Sequence, residues 1–596
     1  MSKPNPKPQT ALYFNLTVLA AFFHAFMEWL FFVTQSSSLS TLSWFEKIKV
    51  LLVTGGVVSL LPLLLLLALI IPARKWKTPG YIPAALVLSL TALILLDNFT
   101  YTVAQIGIVS TGGAWRILYI AGLAVIFNGM FRFIRRQTLW KGASYLTSSL
   151  LAISAVGGIS IYAARNSALD GYSLAPFSDR PNIIIIGGDG LSARYLSAYG
   201  FDEDTSPFLA ELMGSSLVAE NAFPNASSTT ASTTSILTGQ EPAEVKVYRY
   251  PDILSDEDSL KHLPGILQNA GYQTVEIGAP SYVDARKVNI ANGFDIVNGQ
   301  SYENPILDAL QPALGNSPSA YFIQIVVERI SQRLMHIFFI SDMENPFEAV
   351  NNPKARITDA ERKDQIVSLL EDSDEPLFIF AHFMNTHGPH FGSDDNNSTV
   401  ESPNAEEEWD VELYKDAIRN FDGHVREIYS RLAESGELEN TILVIYTDHG
   451  YRYVVNARIP IIIRFPNADH AGPVANNAQI IDIPVTLLDY LGAEKPEWMS
   501  GMSLIGEEPP ADRHIVSITA GSPKKIKPPF YQIKSAQVLV CQKWYVLNVQ
   551  DLEWKTGEVF GHTAPCDPSL LPPEDEIREE IVEYLEHYEY DVSGLK

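Results

Sequence analysis

An aspartate–histidine pair, a lone aspartate among glycines, a run of hydroxyls and a histidine triplet carry most of the chemistry this sequence offers. Asp448 and His449 close the stretch TILVIYTDHG. One carboxylate oxygen beside one imidazole nitrogen suits zinc or manganese, although a helix cap or a turn has the same composition. Asp189 follows Ile183–Ile186 and sits among Gly187, Gly188 and Gly190, which allow close approach. Asn225–Gly239, NASSTTASTTSILTG, is crowded with hydroxyls. As chemistry, it is a hydroxyl nucleophile at a helix N-terminus, where free N–H groups and the helix dipole favour an anion. An alkoxide on a divalent metal is a competent nucleophile. As surface, it is a serine- and threonine-rich loop. His382, His387 and His390 fall within nine residues, with Asn385 between them, and read as the wall of a site.

These groups need elements to hold them. Thr441–Tyr446, Ile183–Ile186 and Pro376–Phe380 are apolar without polar alternation, the pattern of strands buried on both faces. Ligands bind beyond the carboxyl ends of such strands, which is where the two aspartates and the histidines fall. Helices are expected over Leu191–Tyr199, Phe208–Met213 behind a Thr-Ser-Pro cap, Leu260–Asn269 and Glu412–Ser435. Tyr321–Phe339 is long and carries Glu328, Arg329, Gln332 and Arg333; it reads as a core helix or one lying on a membrane surface. Strands are expected at Thr274–Ile277 and Ile459–Phe465, and a helix from Asp482. A small β part from about Ser517, with Gln537–Cys541 and Trp544–Val549, precedes a closing helix, Pro573–Tyr588. The acidic Asp394–Asp410 reads as solvated surface.

The first 165 residues differ in kind. Five apolar runs, Leu12–Val33, Val50–Ile71, Ile82–Ala104, Ile117–Phe133 and Leu146–Ala163, are each about long enough to cross a bilayer, which takes ~20 residues. Lys3, Lys7, Arg74, Lys75, Lys77, Arg132, Arg135, Arg136 and Lys141 mark the cytoplasmic side by the positive-inside rule, against Lys47 and Lys49 in the opposite loop. An N-terminus inside and five spans put everything after about residue 165 outside. Glu28 and Asp97 are ionisable groups within the spans, functional or satisfied by a neighbouring helix. The expected domains are therefore 1–165 in the membrane, a linker 166–180, a catalytic stretch 181–510 and a C-terminal α+β part 511–596. A net charge of -26 argues against a nucleic-acid partner. The two cysteines, Cys541 and Cys566, can form one disulfide outside the cell but no cysteine metal site.

In this order, Asp189, the hydroxyl loop, His387 and Asp448-His449 resemble the sulfatase-like branch of the alkaline phosphatase superfamily. Pro181–Gly200, Leu237-Thr238-Gly239 and Asp482–Leu504 are similar to that branch's opening metal motif, the close of its nucleophile segment and its late helix. The resemblance implies a three-layer α/β/α extracytoplasmic domain. Counted back from Leu237-Thr238-Gly239, the nucleophile is Thr229, with Ser227, Ser228 and Thr230 as neighbours. Sulfatases instead have a cysteine or serine that becomes formylglycine, followed by proline and arginine, and a second aspartate where Gly190 stands. With five spans, the chain is closest to membrane phosphoethanolamine transferases and phosphoglycerol transferases of the lipoteichoic-acid synthase type.

That resemblance implies one divalent metal, Zn2+ or Mn2+, held by Asp189, Thr229, Asp448 and His449. Thr229 takes a phospho-headgroup from a membrane lipid donor and passes it to a glycan or lipid acceptor. His387, in Thr-His-Gly-Pro, is similar to the substrate-binding histidine of these enzymes, with Asn385 and His390 beside it. Phosphoethanolamine transferases carry a further histidine between Asp-His-Gly and the next strand; here Tyr451–Arg458 fills that gap, so Arg452 or Arg458 is expected to hold the phosphate. The alternatives are a phosphodiesterase or sulfatase-like hydrolase on the same site, and a catalytically silent membrane scaffold.

Overall fold

The computed structural model describes residues 10–595 except 35–36, 40–41, 71–78, 105, 109–110, 140–141, 169–179, 281, 302–311, 339–356, 374, 393–407 and 522–532. Lys3, Lys7, Arg74, Lys75, Lys77, Lys141, most of the 166–180 linker and most of the acidic loop lie outside the described residues. The chain divides into two compact units: Met1–Gly171 with Ser255–Glu257 and Glu303–Asn345, and Tyr172–Leu254 with Asp258–Tyr302 and Pro346–Lys596.

In the first unit, five helices are long and apolar enough to cross a membrane: Thr10–Thr34, Trp44–Ile70, Pro79–Ala104, Trp115–Ile134 and Ala143–Ala164. A sixth helix, Pro318–Ile337, belongs with them rather than with the catalytic stretch in which the sequence places it. Its Phe322 and Val326 pack with Trp29 and Val50. Arg329 Nε donates to Glu28 Oε2 at 2.8 Å and Arg333 Nε to Asp97 Oδ2 at 2.6 Å. The two carboxylates inside the spans are therefore ion-paired.

The second unit is built on a nine-stranded sheet ordered Gly472–Val474, Leu217–Ala219, Ile461–Arg464, Thr441–Tyr446, Asn182–Gly188, Leu377–Phe383, Gln273–Ile277, Ile296–Val297 and Gln300–Ser301. Its centre is parallel: Asn182–Gly188 pairs with Thr441–Tyr446 on one side and Leu377–Phe383 on the other. Ile461–Arg464 runs antiparallel beside Thr441–Tyr446, so the sheet is mixed. Along Asn182–Gly188, Ile183 and Ile185 enter one core and Ile184 and Ile186 the other. That two-sided burial is why these strands read as continuous apolar runs.

Two elements differ from expectation. Leu377–Phe383 continues three residues beyond Phe380 and so contains His382. Leu191–Tyr199 forms two short 3-10 turns, broken at Leu196, whose backbone is extended. The Thr205 and Ser206 hydroxyls accept from the Ser197 and Ala198 amides there, replacing helical bonds. At the C-terminus, four antiparallel strands, His514–Ala520, Ile533–Val540, Lys543–Asn548 and Glu553–Glu558, pack with the helix Glu574–His587. Cys541 and Cys566 are disulfide-bonded.

Candidate active site

Three adjacent parallel strands deliver their C-terminal residues to one place. Asp189 follows the central strand; its amide donates to the Phe383 carbonyl at 3.0 Å. The Thr447 hydroxyl donates to the Gly188 carbonyl at 2.6 Å, and the Gly190 amide to Asp448 Oδ1 at 3.1 Å. These cross-bonds lock the two aspartate turns together. Gly190 has φ +68°, a left-handed conformation that glycine adopts without strain.

Asp189, His382 and Asp448 are fully buried, and each offers a ligand atom within 4.8 Å of the others. Two imidazoles flank Asp189, one at each oxygen. His382 Nε2 lies 3.2 Å from Oδ2, and His449 Nε2 lies 3.7 Å from Oδ1 and 3.3 Å from Asp448 Oδ2. Asp189 Oδ1 and Asp448 Oδ2 are buried and accept no hydrogen bond among the described residues. Two orphaned carboxylate oxygens among nitrogen donors form a site a divalent metal fits, since buried anions are paired or coordinate metals. Burial pushes the Asp189 carboxyl up, but the neighbouring His387, the His382 hydrogen bond and His449 outweigh it and hold it well below the usual carboxylate range. The acid is poised to bind as an anion.

The hydroxyl run is a helix, Thr229–Thr238, with Ser228 at its N-cap. Thr229 is the first helical residue. Its Oγ1 lies 3.2 Å from Asp189 Oδ2 and 3.4 Å from His449 Nε2. The neighbouring hydroxyls are engaged elsewhere. Ser228 donates to the Tyr248 carbonyl, Ser227 accepts from the Ala520 amide, and Thr230 lies 3.4 Å from the Tyr282 carbonyl. Within the run, Thr229 is thus the hydroxyl turned to the acid–imidazole cluster.

His387 is nearly buried and close enough to act electrostatically on Asp189. Asp359 accepts from the Met384 and Asn385 amides and fixes the turn that carries it. Tyr453 bridges this turn and the Asp-His segment: its hydroxyl donates to the Gly388 carbonyl, and its ring lies edge-on to His449 at 4.8 Å. The other wall residues go different ways. The Asn385 side chain turns to Asn420 at 2.7 Å, and His390 is exposed. Arg452 is exposed over the Trp409 and Tyr451 rings. Arg458 donates to the Glu220 carbonyl at 2.9 Å, and its guanidinium lies near Gly561. No contact joins either arginine to the two aspartates among the described residues. Sequence reasoning put His382 in the wall of the site and gave it no part in the chemistry. Ending its strand at Phe380 removed the alternation that puts it on the same face as Phe378 and Phe380.

A 101-residue stretch is 30% identical to the extracellular sulfatase SULF-1 homolog of Drosophila melanogaster, covering 15% of this chain and 9% of that protein. An arylsulfatase of Hemicentrotus pulcherrimus is 20% identical over 358 residues, 53% of this chain and 59% of that one. These matches reach less than two thirds of either relative's length. A solved structure from Vibrio parahaemolyticus, described as a protein in the alkaline phosphatase superfamily, superposes with a TM-score of 0.45 at 16% identity, over 72% of this chain and 95% of that one. The family model described as Sulfatase matches residues 181–493, more than half of the chain, and the chain belongs to that family.

Proposed function

We propose that this chain is a membrane-anchored, metal-dependent transferase. It moves a phosphoethanolamine or phosphoglycerol headgroup from a lipid donor to a glycan or lipid acceptor. The observation that carries the reading is Thr229, a secondary alcohol at a helix N-terminus, turned to Asp189 and His449, in a chain that also holds five apolar helices. Threonine cannot give the formylglycine of hydrolytic sulfatases, but it can form a phosphoester. Orientation follows the basic loops, with the catalytic unit outside the cell.

A zinc or manganese ion held by Asp189, Thr229, Asp448 and His449 would supply Lewis acidity at the phosphoryl oxygen and lower the hydroxyl pKa. The Thr229 oxygen attacks phosphorus; the bond from phosphorus to the diacylglycerol oxygen breaks, and diacylglycerol leaves carrying the proton. The acceptor hydroxyl then attacks the threonine ester, and the Thr229 oxygen regains a proton. The N-terminal amides of Thr229–Thr238 face the anionic phosphate. His387 moves the proton or stabilises the transferring charge. Anchoring enzyme and donor lipid in one membrane raises the effective donor concentration.

The test is purified full-length protein with headgroup-labelled phosphatidylethanolamine or phosphatidylglycerol and a membrane extract as acceptor. Label on an extract lipid or glycan supports the transferase. Label free in solution favours the hydrolase, and label left on the donor with no metal bound favours a scaffold.

A further inference from the structure

Behind the aspartates lies a second polar cluster that the reaction above does not use. Gly187 pairs with His382 on one side and Tyr446 on the other, and Glu276 pairs with Phe380, one alternation before His382. Strand alternation therefore puts Glu276, His382 and Tyr446 on one face of the sheet. All three are 0% exposed, on a face otherwise filled by Ile185, Phe380 and Val444.

Each contributes one polar atom with no hydrogen-bond partner among the described residues: Glu276 Oε1, His382 Nδ1 and the Tyr446 hydroxyl. Their other atoms are committed. Glu276 Oε2 accepts from the Ala285 amide at 2.8 Å, and His382 Nε2 lies against Asp189 Oδ2. Gly187 explains how the rings approach. A Cβ there would stand 3.0 Å from His382 Nδ1 and 2.8 Å from Tyr446 Cε1. Gly187 is not left-handed, so its use is room rather than conformation. Three orphaned polar atoms on one face of neighbouring strands point to a common connection, because buried polar groups are rarely left unpaired.

We propose that Glu276, Tyr446 and His382 form a hydrogen-bond relay, closed by one internal water, that orients Asp189 for the metal. The Glu276 carboxylic acid donates toward Tyr446, the phenol toward His382 Nδ1, and His382 Nε2–H to Asp189 Oδ2. His382 is then a positioning residue, and His449 is the imidazole that faces the ion. The placement of the orphaned Asp189 Oδ1 and Asp448 Oδ2, both near His449 Nε2, agrees. Burial, and then Asp284, push the Glu276 carboxyl up to about 8, which keeps it a donor at neutral pH. Orienting partners of this kind are worth about 10–100-fold in metal affinity.

The inference rests on the metal-site reading of the two aspartates, and the experiment separates the two. X-ray absorption of the zinc-loaded full-length protein counts imidazole ligands. One imidazole is expected. Two would overturn the relay while keeping the metal site, and failure to bind zinc would remove the metal reading beneath both. Zinc affinity, measured by chelator competition, adds a second arm. Tyr446→Phe and Glu276→Leu should each weaken zinc about 10–100-fold, and Glu276→Gln, whose amide still donates, should restore it. If Tyr446 is only a buried orphan, Tyr446→Phe raises Tm and leaves zinc affinity unchanged, which contradicts the relay.

Discussion

The two units each bury a pair of carboxylates, and they treat them in opposite ways. In the membrane unit, Glu28 and Asp97 each meet an arginine of the helix Pro318–Ile337 at 2.8 and 2.6 Å. Asp97 Oδ1 also accepts from the Ile108 amide, and Arg329 reaches Asn98. In the catalytic unit, Asp189 and Asp448 meet imidazoles and a threonine, and each keeps an oxygen without a hydrogen bond among the described residues. Arginine cannot lose its proton or bind a metal, so the first pair is closed as chemistry and serves to dock a helix. Imidazole can give up its proton and ligate, so the second pair is open. What separates a structural acid from a reactive one here is the partner and the orphaned oxygen, since burial is the same in both.

The largest effect expected from breaking the comparison is in the membrane unit. Arg333→Ala leaves Asp97 buried without its cation and should cost ~3–5 kcal/mol of stability. Replacing Arg333 and Asp97 together by leucines should recover most of it. Unfolding in detergent, followed by protection of 318–337 from hydrogen exchange, reads both. Comparable losses in the single and double variants would mean the pair does more than dock the helix.

The same logic separates roles within the catalytic unit. Asp448→Asn should lower metal content and turnover together. His387→Ala should keep its metal and lose turnover by ~100-fold or more, the scale of a lost acid–base or charge-stabilising group. Metal analysis beside a turnover assay decides it, and metal loss in His387→Ala would make that residue a ligand.

Another buried carboxyl, Glu241, is an intermediate case. Burial pushes Glu241 up to about 8, against the pull of Arg513, which forms a 2.7 Å ion pair with Asp482. Its folded pKa lies above the unfolded value, so its stabilising contribution is complete below the ordinary glutamate range and is lost as pH rises through about 8. Glu241→Gln should therefore flatten the fall in stability between pH ~5 and ~9, by roughly 1–3 kcal/mol. Parallel pH profiles for the two proteins would show that Glu241 does not titrate in that range.

Much of this was legible in the chain. Strands such as Ile183–Ile186 and Thr441–Tyr446 announce themselves because both faces are buried, and the membrane helices because apolar length is all a bilayer asks. Asp189 and His449 come together because each follows such a strand, and Thr229 joins them as the first residue of a helix. What was not legible depends on long-range pairing. Arg329 and Arg333 read only as charges clustered on a long helix; their partners, Glu28 and Asp97, lie 301 and 236 residues away. His382 was obscured by one misplaced strand end. Arg452 and Arg458 were chosen because they lie in the gap where phosphoethanolamine transferases have a histidine, and a place in a loop does not say where its side chains turn: Arg452 sits at φ +60° over aromatic rings.

The account depends most on Thr229. Full-length protein incubated with donor phospholipid and divalent metal, without acceptor, should accumulate the headgroup phosphate on one peptide. Tandem mass spectrometry should place it on Thr229, and Thr229→Ser should retain some of it because a primary alcohol is still a nucleophile. Thr229→Ala should be folded, unmodified and inactive. Modification on Ser228 or Thr230 would contradict the geometry, in which those hydroxyls face other partners. An unmodified wild type together with a fully active Thr229→Ala would contradict the mechanism itself.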